Sequence, residues 1–275
     1  MHGAVGCNGT KKVKDKEKIL RYFAASGEEA KEMAVRLLDL AETADKGRPY
    51  AVSPFMPPFA VQIAATAAAH MKTVSMESWG GYHEAERVKI AFKNLSYSGL
   101  VDFGITVLSV SWDSRYRLIG HRDVMGSLLA LGIDRAVLGD ILMQPSGAQI
   151  FIEKKMTEWL KQNFLKVAMV PVSIKEISPE DVHPPEETAK EVRATVASLR
   201  LDAVGAAGFG ISRAKMAAAV DGQKVQINWQ IAKGVSQSVS EGDIVSLRGR
   251  GRIVLKAVTG VSRKGRTGIL VEKYR

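Results

Sequence analysis

The stretch from Ser178 to Glu191 holds Pro179, Pro184, Pro185 and five acidic residues, with little apolar content. Proline supplies no amide hydrogen to a helix or an inner strand, and so polar a segment buries too little apolar surface to offset the entropy of ordering it. It reads as a linker, placed at 177–198, and it confines the fold to separate parts on either side.

Charge divides at the same place. From Leu199 onward there are 14 Lys and Arg against five Asp and Glu, a balance of +9, whereas residues 1–198 hold 25 against 24, a balance of +1. A basic module on a neutral body is the pattern of a polyanion-binding domain, since mere solubility needs no such asymmetry. Other classes are disfavoured. The longest apolar stretch, Phe59 to Met71, is broken by Gln62, Thr66 and His70, short of the roughly 18 residues of a membrane span. Cys7 is the only cysteine, so neither an intramolecular disulfide nor a thiolate metal site is expected. No cofactor or metal is implied. Met1 to Thr10 lack the apolar core of a signal peptide and are too short for a typical transit peptide, so any targeting segment is expected to be absent from this chain.

The overall expectation is an α+β chain. Residues 11–93 read as an N-terminal α/β domain. Ile19, Tyr22 and Phe23, then Met33, Leu37, Leu38 and Ala41, recur at helical spacing. Pro54, Pro57 and Pro58 predict a loop, Phe59 to Met71 an alanine-rich helix, Thr73 to Trp79 a strand, Gly80-Gly81 a turn and Glu84 to Phe92 another helix. Residues 104–176 alternate as strand (Ile105 to Trp112), helix (Asp123 to Leu131), two short strands about Pro145-Ser146-Gly147, helix (Met156 to Leu165) and strand (Val170 to Ile174). The order β-α-β-β-α-β predicts a ferredoxin-like, RNA-recognition-like sheet.

Residues 199–275 form the basic module with its C-terminal extension. Leu201, Val204, Gly208 and Phe209 fit one helix face, and Gly208 and Gly210 are expected to break that helix. Ser212 is an N-cap for a second helix, with Arg213 and Lys215 in its first turn. Two cations there oppose the helix dipole, which makes sense if a phosphate completes the site. The period then switches to two: Val225, Ile227 and Trp229 share one strand face, with Lys224 and Asn228 on the other. If Arg248-Gly249-Arg250-Gly251-Arg252 is extended, its three arginines project to one side. Arg263, Lys264 and Arg266 supply a further basic turn.

The run Arg200-Leu201-Asp202, Ile211-Ser212-Arg213-Ala214-Lys215-Met216, Val225-Gln226-Ile227-Asn228-Trp229 and Glu241-Gly242-Asp243-Ile244-Val245 resembles the S-four domain, the αL RNA-binding motif. Upstream, Trp79-Gly80-Gly81-Tyr82 with Glu84-Ala85-Glu86-Arg87, His121-Arg122-Asp123-Val124-Met125-Gly126, Leu131-Gly132-Ile133 and Gly139-Asp140-Ile141 look like the YlmH family. Arg200-Leu201-Asp202-Ala203 and Ala206-Ala207-Gly208-Phe209-Gly210 are similar to its cyanobacterial and plastid branch, the photosystem II S-four domain proteins. The resemblance covers residues 50–275. Gln223 departs from it, standing where the family usually has glycine, and 94–104 looks like an insertion.

The resemblance implies three domains and a partner of structured RNA, ribosomal or transfer, on the large ribosomal subunit. It further implies a role in quality control of stalled translation, and for the plastid branch a stromal location and a link to photosystem II. A monomer is expected. The candidate RNA-binding residues are Arg200, Ser212, Arg213, Lys215, Lys224, Arg248, Arg250 and Arg252, with Arg122 as a further RNA or ribosome contact. Trp229 is read as a core or edge residue before a stacking platform. His121 and Asp123 invite an acid–base reading, but no nucleophile is spaced to join them, and a cap on the following helix through Asp123 explains the pair better. The alternative class is an RNA-modifying enzyme of the pseudouridine synthase type, whose catalytic aspartate sits in an Arg-Leu-Asp context like Arg200 to Asp202. The bland alternative is a scaffold whose basic domain meets acidic protein or lipid headgroups.

Overall fold

Met33, Leu37, Leu38, Ala41 and Ala44 recur at helical spacing and are buried along α1 (Glu28–Asp45), which lies over a small sheet with α2 (Phe59–Ala69) beside it. The computed structural model describes residues 17, 19–20, 23, 28–115, 117–184, 189–262 and 265–274. Tyr22, one of the residues expected to form an earlier helix, lies outside them, while Ile19 and Phe23 are buried. The chain divides into two units, 1–185 and 186–275.

In the first unit the small sheet runs β1 (Tyr50–Met56), β3 (Val88–Asn94), β2 (Val74–Trp79), antiparallel throughout. Two expectations fail here. The proline-bearing segment about Pro54 is the edge strand β1 and not a loop, because the β1–β3 register slips between Val52 and Phe55 and the proline sits inside that irregularity. The Ser53 hydroxyl repairs the gap, accepting the Ile90 amide at 2.9 Å and donating to the Pro54 carbonyl at 2.7 Å. The segment expected to be helical at 84–92 is mostly the central strand β3. Ile90, Ala91 and Phe92 are buried in succession, a run whose periodicity does not separate a buried strand from a helix.

The ferredoxin-like order holds. β4 (Ile105–Trp112), α3 (His121–Ala130), β5 (Leu138–Gln144), β6 (Gly147–Glu153), α4 (Thr157–Asn163) and β8 (Val170–Ile177) build a sheet ordered β5-β6-β4-β8, extended by the two-residue β7 (Lys166–Val167). Leu108, Val110, Ile150 and Ile152 face the helices and pack on Val124, Leu128 and Leu160.

In the second unit α5 (Leu201–Phe209) and α6 (Arg213–Asp221) cover one face of a six-stranded sheet. Its order is β11 (Gln230–Ile231), β10 (Val225–Ile227), β12 (Ile244–Leu247), β13 (Gly251–Val261), β14 (Thr267–Tyr274), β9 (Lys190–Val196). Gly208 does not break α5. A Cβ there would lie 2.6 Å from Ile253 Cδ1, so the glycine lets the helix settle on the sheet, and Gly210 ends the helix at φ +67°. β9 corrects the linker reading: Val192, Ala194 and Val196 pack on the core, and the strand pairs with β14 over its whole length. The prolines and acids before it hid a short alternating strand. Residues 185–188 of that stretch lie outside the described residues. A second correction concerns Trp229. The strand stops at Ile227, and Asn228 (φ 48°) and Trp229 (φ 63°) form the two-residue turn into β11, so Trp229 does not share the inward face of Val225 and Ile227.

Gln223, the departure from the family pattern, adopts φ 53°, while Gly222 before it does not need its freedom at φ −78°. A left-handed non-glycine residue carries strain of about 1 kcal/mol, and glycine relieves it at some cost in unfolded-state entropy. Gln223→Gly is expected to raise stability by about 0.5–1 kcal/mol in urea denaturation; an unchanged or lowered midpoint contradicts the strain.

Candidate RNA interface

The surface of the second unit is set by a carboxylate. Asp202 lies in the first turn of α5, its side chain only 10% exposed, and its two oxygens divide between two arginines. Arg200 Nε donates to Oδ1 at 3.1 Å, and Arg213 Nη2 donates to Oδ2 at 2.5 Å. Burial pushes the Asp202 carboxyl up, and the hydrogen bonds from Arg213 and Arg200 outweigh it, holding the group below its ordinary value. The start of α5 is thereby tied to the start of α6. Leu201 and Asp202 donate their amides to the Gln237 and Val235 carbonyls, so that helix end is also fastened to the loop before β12.

Ser212 caps α6 as expected, its Oγ accepting the Lys215 amide at 3.2 Å. Lys215 is exposed and has no acidic partner among the described residues. Arg213 is also solvent-facing, with 54% of its side chain exposed, yet its guanidinium is already engaged by Asp202. It is a structural cation first.

The three arginines of the 248–252 segment do not line one strand face. Leu247 pairs with Gly251, and Arg248, Gly249 and Arg250 form the turn between β12 and β13, with Gly249 and Gly251 both at φ +85°. Arg248 and Arg250 project from the hairpin tip, exposed and without acidic partners among the described residues. Arg252 has already entered β13, where it lies over the Tyr274 ring at 5.2 Å. The alternating Arg-Gly composition produced a tight turn because the glycines take positive φ. Lys224 joins the tip: its carbonyl accepts the Arg248 amide at 2.9 Å, and its side chain is exposed. Since α6 is nine residues long, about 13 Å at 1.5 Å per residue, the module presents two basic loci. Lys215 and Arg213 stand at the head of that helix; Lys224, Arg248 and Arg250 stand beyond its tail.

Arg266 is pinned to β9, with Nη2 donating to the Thr195 carbonyl at 2.6 Å; Arg263 and Lys264 of the expected basic turn lie outside the described residues.

In the first unit Asp123 sits in the first turn of α3 and accepts the Gly120 amide at 2.9 Å and Arg117 Nη2 at 3.1 Å, the capping role read from the sequence. Arg122 beside it is exposed and makes no ion pair among the described residues. Partial desolvation and the Arg135 cation hold His121 below its ordinary value. The family motifs meet as a seam. Asp140 accepts Tyr82 Oη at 2.9 Å and the amides of Glu86 and Arg87 at 2.7 and 3.1 Å. The Arg87 guanidinium donates to the carbonyls of Leu138, Phe55 and Arg135. Both oxygens of Asp140 and two nitrogens of the Arg87 guanidinium are engaged there, which is the arrangement of a clasp.

The face of the ferredoxin-like sheet on which RNA-recognition folds stack bases is closed at its centre. Phe151 is fully buried there with Phe55, Val107 and Leu142, and Tyr82 covers it at a ring separation of 4.9 Å. The chain after β8 crosses the same face. Gln149 Nε2 donates to the Asp181 carbonyl and its Oε1 accepts the His183 amide, both at 2.8 Å, and Gln144 Nε2 donates to the His183 carbonyl.

Asp202→Asn tests the tie. A carboxylate held below its ordinary value contributes stability above about pH 4, lost as pH falls through the folded value. The variant is expected to be less stable at neutral pH by about 1–2 kcal/mol, the low end for bonds to charged groups because both guanidinia are half exposed. Its melting temperature should also fall less than that of the parent chain between pH 4 and 2; parallel pH profiles exclude the role.

Among the described residues no group of three or more His, Cys, Asp and Glu is placed to hold a metal, and no helix is long and apolar enough to cross a membrane. Residues 29–96 match the model of the N-terminal domain of YlmH, 100–181 the model of the RNA-binding domain in YlmH, and 199–245 the S4 domain. The chain is similar to the ribosome-associated protein quality control protein P2 of Bacillus subtilis (strain 168), 28% identical over 215 residues, covering 78% of this chain and 84% of that protein. It also resembles in fold the solved cell division protein ylmH from Streptococcus pneumoniae, with a TM-score of 0.51 at 19% identity over 57% of this chain and 96% of that one. With both YlmH models matched across the first unit and the S4 model on the module that carries the basic loci, the chain belongs to the YlmH family.

Proposed function

We propose that this protein docks on structured RNA, ribosomal or transfer, through its C-terminal module, and that it does so on the ribosome as a non-enzymatic factor in translation or its quality control. The observation that carries the reading is the set of exposed cations without acidic partners among the described residues: Lys215, Lys224, Arg248 and Arg250. Cations left unpaired on one module, in a chain whose remainder is near neutral, fit phosphate neutralisation with counterion release. Arg200, Ser212 and Arg213 then serve mainly by placing that surface, with the guanidinia of Arg200 and Arg213 half open to a phosphate, and Arg252 borders it on β13 as a further RNA contact. Arg122 belongs to the same reading as a ribosome contact. The relative's description as a ribosome-associated quality control protein supports the ribosomal setting.

The runner-up, an RNA-modifying enzyme, needs Asp202 as a catalytic carboxylate. That side chain is buried and held by two arginines, which does not favour it. Within the first reading we place the protein as a monomer in the plastid stroma, supporting photosystem II, on the likeness of residues 200–210 to the cyanobacterial and plastid branch. Detection in fractionated stroma tests the placement, and absence from it overturns that part alone.

Affinity for a ribosomal or transfer RNA should fall steeply with salt. Lys215→Ala, Lys224→Ala, Arg248→Ala and Arg250→Ala should each lower the slope of log affinity against log salt by about one. Charge reversal at Arg213 is a poorer probe, because Arg213→Glu sets a second carboxylate against Asp202 and unsettles the fold. Unchanged slopes in all four alanine variants sink the assignment.

A further inference from the structure

The face of the six-stranded sheet turned away from α5 and α6 carries a row that the phosphate-binding cations do not explain. Residues directly opposite in an antiparallel ladder point to the same side. Gln226 on β10 lies opposite Ser246 on β12, Ser246 opposite Arg252 on β13, and Arg252 opposite Tyr274 on β14. Their neighbours Val225, Val245, Leu247, Ile253 and Val271 point inward to the core, so this row faces outward. At one end the Arg252 guanidinium lies 5.2 Å over the Tyr274 ring. Beyond Arg252, the side chains of Ser246 on the next strand and Gln226 on the one after make no hydrogen bond among the described residues.

The row borders the hairpin tip. Lys224 lies two residues before Gln226, Arg248 two residues after Ser246, and Arg250 two residues before Arg252. Glu272, on the same face of β14, is taken up by Lys256 at 3.1 Å and by the Tyr274 hydroxyl at 2.6 Å. The patch therefore combines cations, an aromatic ring with a stacked guanidinium, and open hydrogen-bonding groups on one sheet surface. Ordinary phosphate binding needs only the first of these. Planar surfaces beside cations are what an unpaired base uses, stacking on the ring or guanidinium while its edge meets side-chain donors and acceptors. Bases inside an A-form duplex are already stacked and present no face.

We propose that the Arg252–Tyr274 pair is a stacking platform for an unpaired RNA base, with Ser246 and Gln226 reading its edge and Lys224, Arg248 and Arg250 holding the flanking phosphates. The proposal rests on the RNA-docking reading above and specifies its ligand as RNA with an unpaired segment. Tyr274 and Arg252 lie beyond the matched S4 segment, which ends at residue 245, so the platform is supplied by the C-terminal extension. It also gives Arg252, displaced from the expected arginine row, a separate task.

The test uses the full chain and two RNAs of equal length, a fully paired duplex and a hairpin with a large loop carrying 2-aminopurine. Tyr274→Leu should weaken hairpin binding roughly tenfold, the size of one lost stacking contact, and leave duplex binding within about twofold. Tyr274→Phe, which keeps the ring and drops the hydroxyl, should bind as the parent does. Stacking should quench the loop fluorescence with the parent and Tyr274→Phe, and not with Tyr274→Leu. Equal losses on both RNAs, or no loss on either, overturn the platform. If Tyr274→Leu binds normally while Lys224→Ala and Arg248→Ala bind weakly, the platform falls and the docking reading stands. If the parent chain binds neither RNA, both fall.

Discussion

A carboxylate taken out of water must be met by donors, and each unit of this protein is organised around one. Asp202 in the second unit collects two guanidinia, and these fix where α5 and α6 begin relative to each other. Asp140 in the first collects a phenol and two backbone amides, which join the small α/β layer to the ferredoxin-like sheet. The pairing differs, and so does the outcome. Burial leaves Asp140 raised above its ordinary value, whereas the two arginines carry Asp202 below it. Of the two, only the second holds arginines half exposed at the surface, and the locus at the head of α6 depends on it.

The two halves of the chain show that a fold name does not assign a function. The sheet of the first unit has the strand order of an RNA-recognition fold, yet the centre of its open face is filled by Phe55, Phe151 and Tyr82 and crossed by residues 181–183. The sheet of the second unit, which follows no such plan, carries Gln226, Ser246, Arg252 and Tyr274, each at least partly exposed, on its outer face beside the exposed cations. Contact with nucleic acid depends on what a face presents to solvent.

The elements legible in the sequence were those whose pattern and caps agreed. The helix at Phe59, the β-α-β-β-α-β order and the Ser212 cap all follow from spacing and local hydrogen bonding. The misread ones share a cause. Pro54 lies in an irregular edge strand, Ile90 to Phe92 are buried on both faces, and β9 follows a proline- and acid-rich stretch. In each case a long-range strand partner overrode the local signal. The Arg-Gly run was a turn for the opposite reason, since local glycine conformations overrode the extended reading.

By itself the sequence determined the partition of charge, the family motifs and the types of residue available to meet a polyanion, because these depend only on which side chains are present and in what order. The basic module is of that kind. Tertiary structure alone decided which cations remain available. Arg213 is spent largely on Asp202, Arg252 lies against Tyr274, and Lys224 stands beside Arg248 because β10 pairs with β12. Ion pairing and cross-strand neighbours are set by distances between residues far apart in the chain, and linear spacing carries no record of them.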